Sequence, residues 1–343
     1  MTDRIETLEA TAQALVAKGK GILAADESGG TIAKRLHSID TPSTEENRRD
    51  WRQLLFTTEG IGNSISGVIL FDETIRQDAE NGTTLVKGLE ERGVIPGIKV
   101  DTGAKPLAGA PGEQVTEGLD GLRDRLNEYR ELGARFTKWR AVIAIGPHIP
   151  SPYCIDVSAH GLARFAALSQ EAGLVPIVEP EVLMDGDHDI DRCFAVTEAT
   201  LHRVFEQLYK ERVALEGMLL KPNMVISGKD AANRASSEQV AAATIKCFRR
   251  AVPAAVPGIV FLSGGQSDEA ATENLNAMNK TGETLPWEMS FSYGRGLQAT
   301  PLKAWGGRKA SVPAAQAAFK HRADVTSAAR DGKYSKELEK SVV

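Results

Sequence analysis

Cysteine is almost missing from this chain: 343 residues contain three, Cys154, Cys193 and Cys247, at wide spacing. An odd, scattered set builds no disulfide framework and suits reduced thiols in a cytoplasmic protein. No apolar run approaches the ~18 residues that would cross a bilayer, so no membrane association is expected. The first ten residues, Met1-Thr-Asp-Arg-Ile-Glu-Thr-Leu-Glu-Ala10, carry acids where a secretory signal would carry an apolar core. A basic excess is also lacking: 41 Lys and Arg stand against 46 Asp and Glu, a net charge of −5. That balance argues against a nucleic-acid binder, and any anion site has to be assembled locally. The six histidines form no HxxxH or HExxH arrangement, so no catalytic metal is expected. No linker rich in Ser, Gly or Pro divides the chain, and no charge block does so either.

What is present is 42% hydrophobic residues, enough for a large core, distributed in eight short apolar runs separated by amphipathic stretches. The runs are Gly21–Asp26, Gly67–Asp72, Val94–Asp101, Phe136–Val142, Leu174–Glu181, Gly217–Asn223, Gly258–Gly264 and Trp287–Gly294. Segments of helical character lie between them, among them Val157–Ala172, Ile190–Leu215, Ser236–Ala251 and Ser267–Lys280. Strands alternating with helices predict a parallel sheet, and eight units fit a closed (β/α)8 TIM barrel better than a doubly wound open sheet. A length of 343 residues would allow about two domains, but the strand count predicts one spanning 1–343. Leu8, Ala12, Leu15 and Val16 predict an N-terminal helix within residues 1–20, and about 314–343 reads as a helix plus a polar, mobile tail.

In seven of the eight runs a polar or charged residue with a candidate role stands near the end of an apolar strand. In a barrel those ends surround the active-site mouth. Asp26, Lys99, Lys138, Arg140, Glu179, Glu181, Lys221, Ser263, Ser292 and Arg295 are the residues concerned; Asp72 ends the second run without an assigned role. Alternation puts Lys138 and Arg140 on one strand face and Glu179 and Glu181 on one face of the next. A buried ion network without function is the competing reading. Lys221 has Met218-Leu219-Leu220 before it and Pro222 after it, so its amine is expected to be desolvated. Desolvation and a nearby cation favour the neutral amine, which can attack a carbonyl and form a Schiff base, with Glu179 or Glu181 moving the protons. The alternative is a lysine whose stem packs while its amine reaches solvent.

Two glycine-containing segments suggest anion binding. Ser263-Gly264-Gly265 leads into a helix, and Ser292-Tyr-Gly-Arg295 follows the eighth strand, where barrels often bind phosphate. Gly294-x-Gly296-x-x-Ala299 and Gly19-x-Gly21-x-x-Ala24 match a dinucleotide fingerprint in the wrong context, since neither opens a βαβ unit with an acid about 20 residues on. The acidic stretch Asp185–Asp191 lacks calcium-loop spacing and reads as a solvated loop capping the next helix.

Gly19-Lys-Gly-Ile-Leu-Ala-Ala-Asp-Glu-Ser28, Glu45-Glu-Asn-Arg-Arg49, Lys138-Trp-Arg140, Ile177-Val-Glu-Pro-Glu181, Leu219-Leu-Lys-Pro-Asn-Met224, Leu262-Ser-Gly-Gly-Gln266, Ser292-Tyr-Gly-Arg295 and Lys303-Ala-Trp-Gly-Gly307 together resemble class I fructose-bisphosphate aldolases. The resemblance runs from about Thr7 to Tyr334. It implies a metal-independent lyase of glycolysis and gluconeogenesis that cleaves fructose 1,6-bisphosphate reversibly to dihydroxyacetone phosphate and glyceraldehyde 3-phosphate. Lys221 then corresponds to the Schiff-base lysine, Glu179 with Glu181 to the acid/base pair, Asp26 to the carboxylate near the C4 hydroxyl and Lys138 to the second active-site lysine. Ser263, Gly264, Gly265, Ser292 and Arg295 match one phosphate site. Ser28, Thr31, Arg35, Arg48 and Lys99 fall in segments contacting the other, and Arg140 joins the substrate-binding set. The resemblance also implies a cytoplasmic homotetramer, with no cofactor beyond the covalent Schiff base. Fructose 1-phosphate remains an alternative substrate. A transaldolase-like Schiff-base enzyme and a non-catalytic scaffold are the rival functions. Animal members of the family end in a tyrosine that helps protonate the enamine; this sequence ends Lys340-Ser-Val-Val343, so another group or water is expected to do so.

Overall fold

A computed structural model describes residues 2–340, so the last three residues of the expected tail, and the question of enamine protonation attached to them, lie outside the described residues. Ten strands occur among the described residues, in chain order: β1 (Gly21–Ala24), β2 (Ile65–Leu70), β3 (Ile95–Lys99), β4 (Gly103–Pro106), β5 (Gln114–Glu117), β6 (Phe136–Ile143), β7 (Val175–Val182), β8 (Leu219–Leu220), β9 (Gly258–Phe261) and β10 (Glu288–Tyr293). Eight of them close a barrel in the order β1-β10-β9-β8-β7-β6-β3-β2, every neighbouring pair parallel. The eight apolar runs are these eight strands. The antiparallel hairpin β4–β5 is additional. Its arms, Gly-Ala-Lys-Pro and Gln-Val-Thr-Glu, show no apolar alternation, which is why the hydrophobic pattern does not reveal it.

Three of the expected helices start at side-chain caps. Ser151 accepts from Cys154 N ahead of Pro152, starting the helix Pro152–Glu171 five residues before the expected Val157. Asp189 accepts from Arg192 N at the start of Ile190–Lys210, so the acidic loop does cap the next helix. Ser236 and Gln239 form a reciprocal capping box on Ser237–Ala251. Each such cap stabilises by about 1 kcal/mol.

The barrel interior is layered, and the layering follows from the two-residue period of strands. Leu8, Ala12, Leu15 and Val16 of the N-terminal helix Thr2–Leu15 and its end close one mouth, packing with Ile22, Ala24, Ile69, Phe136, Val175, Ile177, Leu219 and Val260. Burying each large apolar side chain there is worth about 1.5–3 kcal/mol. One step further along the strands, residues 24, 136, 177 and 219 give way to Asp26, Lys138, Glu179 and Lys221. The charged layer therefore rests on a dry floor and faces the opposite mouth.

The C-terminal helix runs Val312–Arg330, and the tail beyond it is tied down rather than loose. Tyr334 N donates to Asn276 Oδ1 at 3.0 Å, Lys336 pairs with Glu273 at 3.0 Å, and Arg322 donates to Glu339 at 2.6 Å. No helix among the described residues is long and apolar enough to cross a membrane.

Candidate active site

The open mouth holds a cavity of about 1370 Å³ whose wall includes the ends of the barrel strands. Lys138, on β6, lies at its base between two carboxylates: Nζ is 2.6 Å from Asp26 Oδ2 and 3.3 Å from Glu179 Oε2. Glu179, on β7, also faces Lys221, whose Nζ is 3.4 Å from Oε1. Lys221 follows the two-residue β8, and its backbone N–H still bonds to Val178 O of β7 at 2.8 Å, which fixes where the side chain enters the barrel. Lys221 is 3% exposed, so its amine does not reach bulk solvent.

The electrostatics separate the two lysines. Burial pushes the Lys221 amine below the ordinary lysine value; Glu179 opposes this and Lys138 reinforces it. Burial acts on Lys138 in the same direction, but Asp26, Glu179 and Asp101 outweigh it and hold that amine above its ordinary value. Burial alone would raise the Asp26 carboxyl, yet Lys138 and Lys221 bring it down to about 2. Glu179 is also held below the usual carboxylate range against its burial, by Lys138, Lys221 and Arg140. The base of the cavity therefore carries a fixed ammonium, two carboxylates and one amine disposed to be neutral.

Nearer the solvent, Arg140 Nε donates to Glu181 Oε2, and Lys99 Nζ is held by Asp101 at 2.6 Å. Gly264 and Gly265 adopt φ of 54° and 88°, a region that glycine enters without strain. A Cβ at Gly265 would come within 3.5 Å of Arg295 Nη2. Arg295 opens the helix Arg295–Trp305 and makes no ion pair among the described residues, and Ser292 Oγ is buried without a hydrogen-bond partner. A free guanidinium, an unpaired hydroxyl and a glycine turn on one wall suit a phosphate. Beside that wall, after β1, the neighbour of β10, Ser28 precedes the helix Gly29–His37 without capping it; its hydroxyl sits 3.3 Å from that of Thr31, and Arg35 pairs with Glu27.

Matching of the chain against known families places residues 7–343 in fructose-bisphosphate aldolase class-I. The chain belongs to that family. It is 61% identical over 301 residues to a probable fructose-bisphosphate aldolase class 1 of Xanthomonas campestris pv. campestris, covering 88% of this chain and 90% of the relative. It is 54% identical to the cytosolic fructose-bisphosphate aldolase 6 of Arabidopsis thaliana, covering 96% and 92%. Among solved structures it superimposes on fructose-bisphosphate aldolase from Plasmodium falciparum, determined in complex with TRAP and a small-molecule inhibitor, with a TM-score of 0.96 and 48% identity over 98% and 97% of the two chains.

Within this aldolase barrel, Asp26, Lys99, Lys138, Arg140, Glu179, Glu181, Lys221, Ser28, Thr31, Arg35, Ser263, Gly264, Gly265, Ser292 and Arg295 all border the same cavity. Arg48 does not. It lies on the helix Glu45–Phe56, donating Nε to Glu73 at 2.9 Å and Nη1 to Ser43 O at 2.7 Å. Glu27, Arg76 and Lys229 border the cavity without having been singled out from the sequence. Arg76 and Lys229 come from segments with no strand pattern. Glu27 carried a signal, a second acid directly after Asp26 at the end of an apolar strand.

Proposed function

We propose that this protein, a lyase by family, forms a Schiff base between Lys221 and the C2 ketone of fructose 1,6-bisphosphate. The carrying observation is the buried Lys221 amine facing the Glu179 carboxylate at 3.4 Å. The neutral amine adds to C2, and the proton it sheds passes through Glu179 to the former carbonyl oxygen to give the carbinolamine; a second proton, taken up from solvent and delivered by Glu179, leaves with the hydroxyl as water, so the imine forms protonated. Asp26 then takes the C4 hydroxyl proton. The C3–C4 bond breaks, its electron pair moves into the protonated imine to give an enamine, and glyceraldehyde 3-phosphate departs. Protonation at C3 and hydrolysis release dihydroxyacetone phosphate and restore Lys221.

Lys138 keeps Asp26 and Glu179 ionised at the start of the cycle, and Arg140 aligns Glu181. The phosphate on the ketone side is assigned to Ser263, Gly264 and Gly265, just past the end of β9, the neighbour of β8 that leads to Lys221, and to Ser292 on β10 and Arg295 just beyond it. The other is assigned to Ser28, Thr31, Arg35 and Lys99. The imine serves as electron sink, so the chemistry needs no metal or further cofactor. The reading takes residues 1–343 as one domain and the protein as a cytoplasmic homotetramer. A relative named as cytosolic supports the compartment, and the tetramer rests on family resemblance.

Borohydride reduction in the presence of dihydroxyacetone phosphate, followed by peptide mapping, tests the mechanism. A stable adduct on Lys221 is expected; its absence sinks the Schiff-base route.

A further inference from the structure

Gln298 bears no charge and does not line the cavity, yet its amide nitrogen is committed to two residues that do. It is 1% exposed. Its amide nitrogen donates to Ala24 O at 2.7 Å and to Glu27 Oε1 at 2.8 Å, while its carbonyl oxygen accepts from Trp51 Nε1 at 3.2 Å. The two acceptors flank Asp26, two residues before it and one after. Gln298 itself lies one turn beyond Arg295 on the helix Arg295–Trp305. Both of its donors therefore tie the turn that presents Arg295 to the strand end that presents Asp26.

The tie is braced from behind. Arg52, fully buried, donates Nη2 to Glu27 O at 2.9 Å, and Glu27 Oε1 also receives Arg35. Trp51 and Trp305 stack with ring centroids 5.5 Å apart, joining the helix that carries Arg52 to the helix that carries Gln298. Only an amide supplies two donors and an acceptor at this point; a carboxylate would set a second negative charge against Glu27, and a hydrocarbon would take the side-chain donor from Ala24 O, leave Glu27 Oε1 to Arg35 alone and remove the acceptor of the Trp51 indole N–H.

We propose that Gln298 is a positioning residue for carbon–carbon cleavage: it fixes the place of Asp26 relative to an anion held at Arg295. The proposal rests on the aldolase mechanism above, in which the ketone-side phosphate occupies the Arg295 wall while Asp26 takes the C4 proton. Gln298 never touches substrate. Formation of the imine with dihydroxyacetone phosphate uses Lys221, Glu179 and the Arg295 wall but not Asp26, so the two half-reactions respond differently when the tie is cut.

Gln298→Met keeps the length of the side chain and removes all three hydrogen bonds. The expected result is a loss of about 10- to 100-fold in kcat for fructose 1,6-bisphosphate cleavage, with borohydride trapping of dihydroxyacetone phosphate on Lys221 kept within about two-fold. Gln298→Glu adds a readout that a merely structural role would not move. Its neutral acid still donates one hydrogen bond whereas its carboxylate opposes Glu27, so its cleavage defect deepens as pH rises and that of Gln298→Met does not. Unchanged cleavage in Gln298→Met, trapping and cleavage lost in step, or a pH-independent defect in Gln298→Glu overturns the positioning role. Failure of the unmutated protein to trap at all overturns the Schiff-base reading instead.

Discussion

Lys138 Nζ stands 2.6 Å from Asp26 Oδ2 at the base of the barrel mouth, on side chains only 4% and 12% exposed. The pair makes Asp26 a carboxylate throughout the neutral range, which is the form that accepts a proton from a hydroxyl. Asp26→Asn removes that acceptor and leaves Lys138 with Glu179 as its remaining partner. Cleavage is expected to slow by about 10²- to 10⁴-fold, while trapping of dihydroxyacetone phosphate persists; steady-state assay beside borohydride labelling separates the two.

The same carboxylate gives a stability signature in acid. Its pKa falls from 3.8 to about 2 on folding, against its burial and because of Lys138 and Lys221. A carboxyl depressed by folding stabilises the native state fully above its unfolded pKa, and that contribution disappears as pH drops from there through the folded value. Urea unfolding of the parent and of Asp26→Asn should therefore differ most near neutrality and converge toward pH 2. A gap that widens in acid contradicts the ion-pair assignment.

Lys221 predicts the pH dependence of imine formation. Burial lowers its pKa and Glu179 partly restores it, so the rate of trapping should rise with pH and level off below the ordinary lysine value of 10.5. Glu179→Gln removes the principal group that favours the ammonium. The midpoint of the profile is expected to move to lower pH even as the plateau rate falls, because dehydration of the carbinolamine loses its acid. A midpoint displaced upward would show that Glu179 does not face the amine in solution.

Most of the barrel was legible in the sequence because a buried parallel strand writes itself as a short apolar run, and a polar residue at the end of such a run marks the mouth. Lys221 was visible by contrast with Met218, Leu219, Leu220 and Pro222. The hairpin β4–β5 left no such trace, since its exposed arms bury no continuous face. The tail from Lys333 to Lys340 reads as polar and loose, yet Arg322 of the preceding helix and Asn276 and Glu273, some sixty residues earlier in the chain, hold it. Arg48 shows what a motif alone leaves out: its segment matches the family motif, and its guanidinium is bonded to Glu73 and Ser43 and is not among the residues that border the cavity. Gln298 was invisible, because a neutral residue on a helix reveals its role only through partners at positions 24, 27 and 51.

The layered interior makes a prediction independent of chemistry. A Cβ placed on Gly97 of β3 would lie 2.3 Å from the Phe136 ring, so the missing side chain is the space that ring occupies. Phe136 in turn is the apolar residue directly below Lys138 on β6. Gly97→Ala is expected to destabilise the fold by about 1–3 kcal/mol, seen as a lower urea midpoint, with Lys221 trapping intact under native conditions. No change in midpoint would mean that Phe136 can move aside without cost.

Arg295 supplies the sharpest test of the phosphate wall: it makes no ion pair among the described residues, only a longer-range attraction to the Asp268 carboxylate, and stands beside the unpartnered Ser292 hydroxyl and the turn at Gly264-Gly265. A guanidinium bonded to a phosphate contributes about 1.5–3 kcal/mol, so Arg295→Ala should raise KM by about 10- to 100-fold. Arg295→Lys keeps the charge but loses the two-pronged geometry, and should recover only part of that affinity. Because the interaction is with a dianion at a solvent-facing wall, raising the salt concentration should weaken substrate binding to the parent protein more than to Arg295→Ala. Measuring KM for the three proteins at low and high salt decides the matter; equal KM values in parent and Arg295→Ala would move the phosphate to another wall of the cavity.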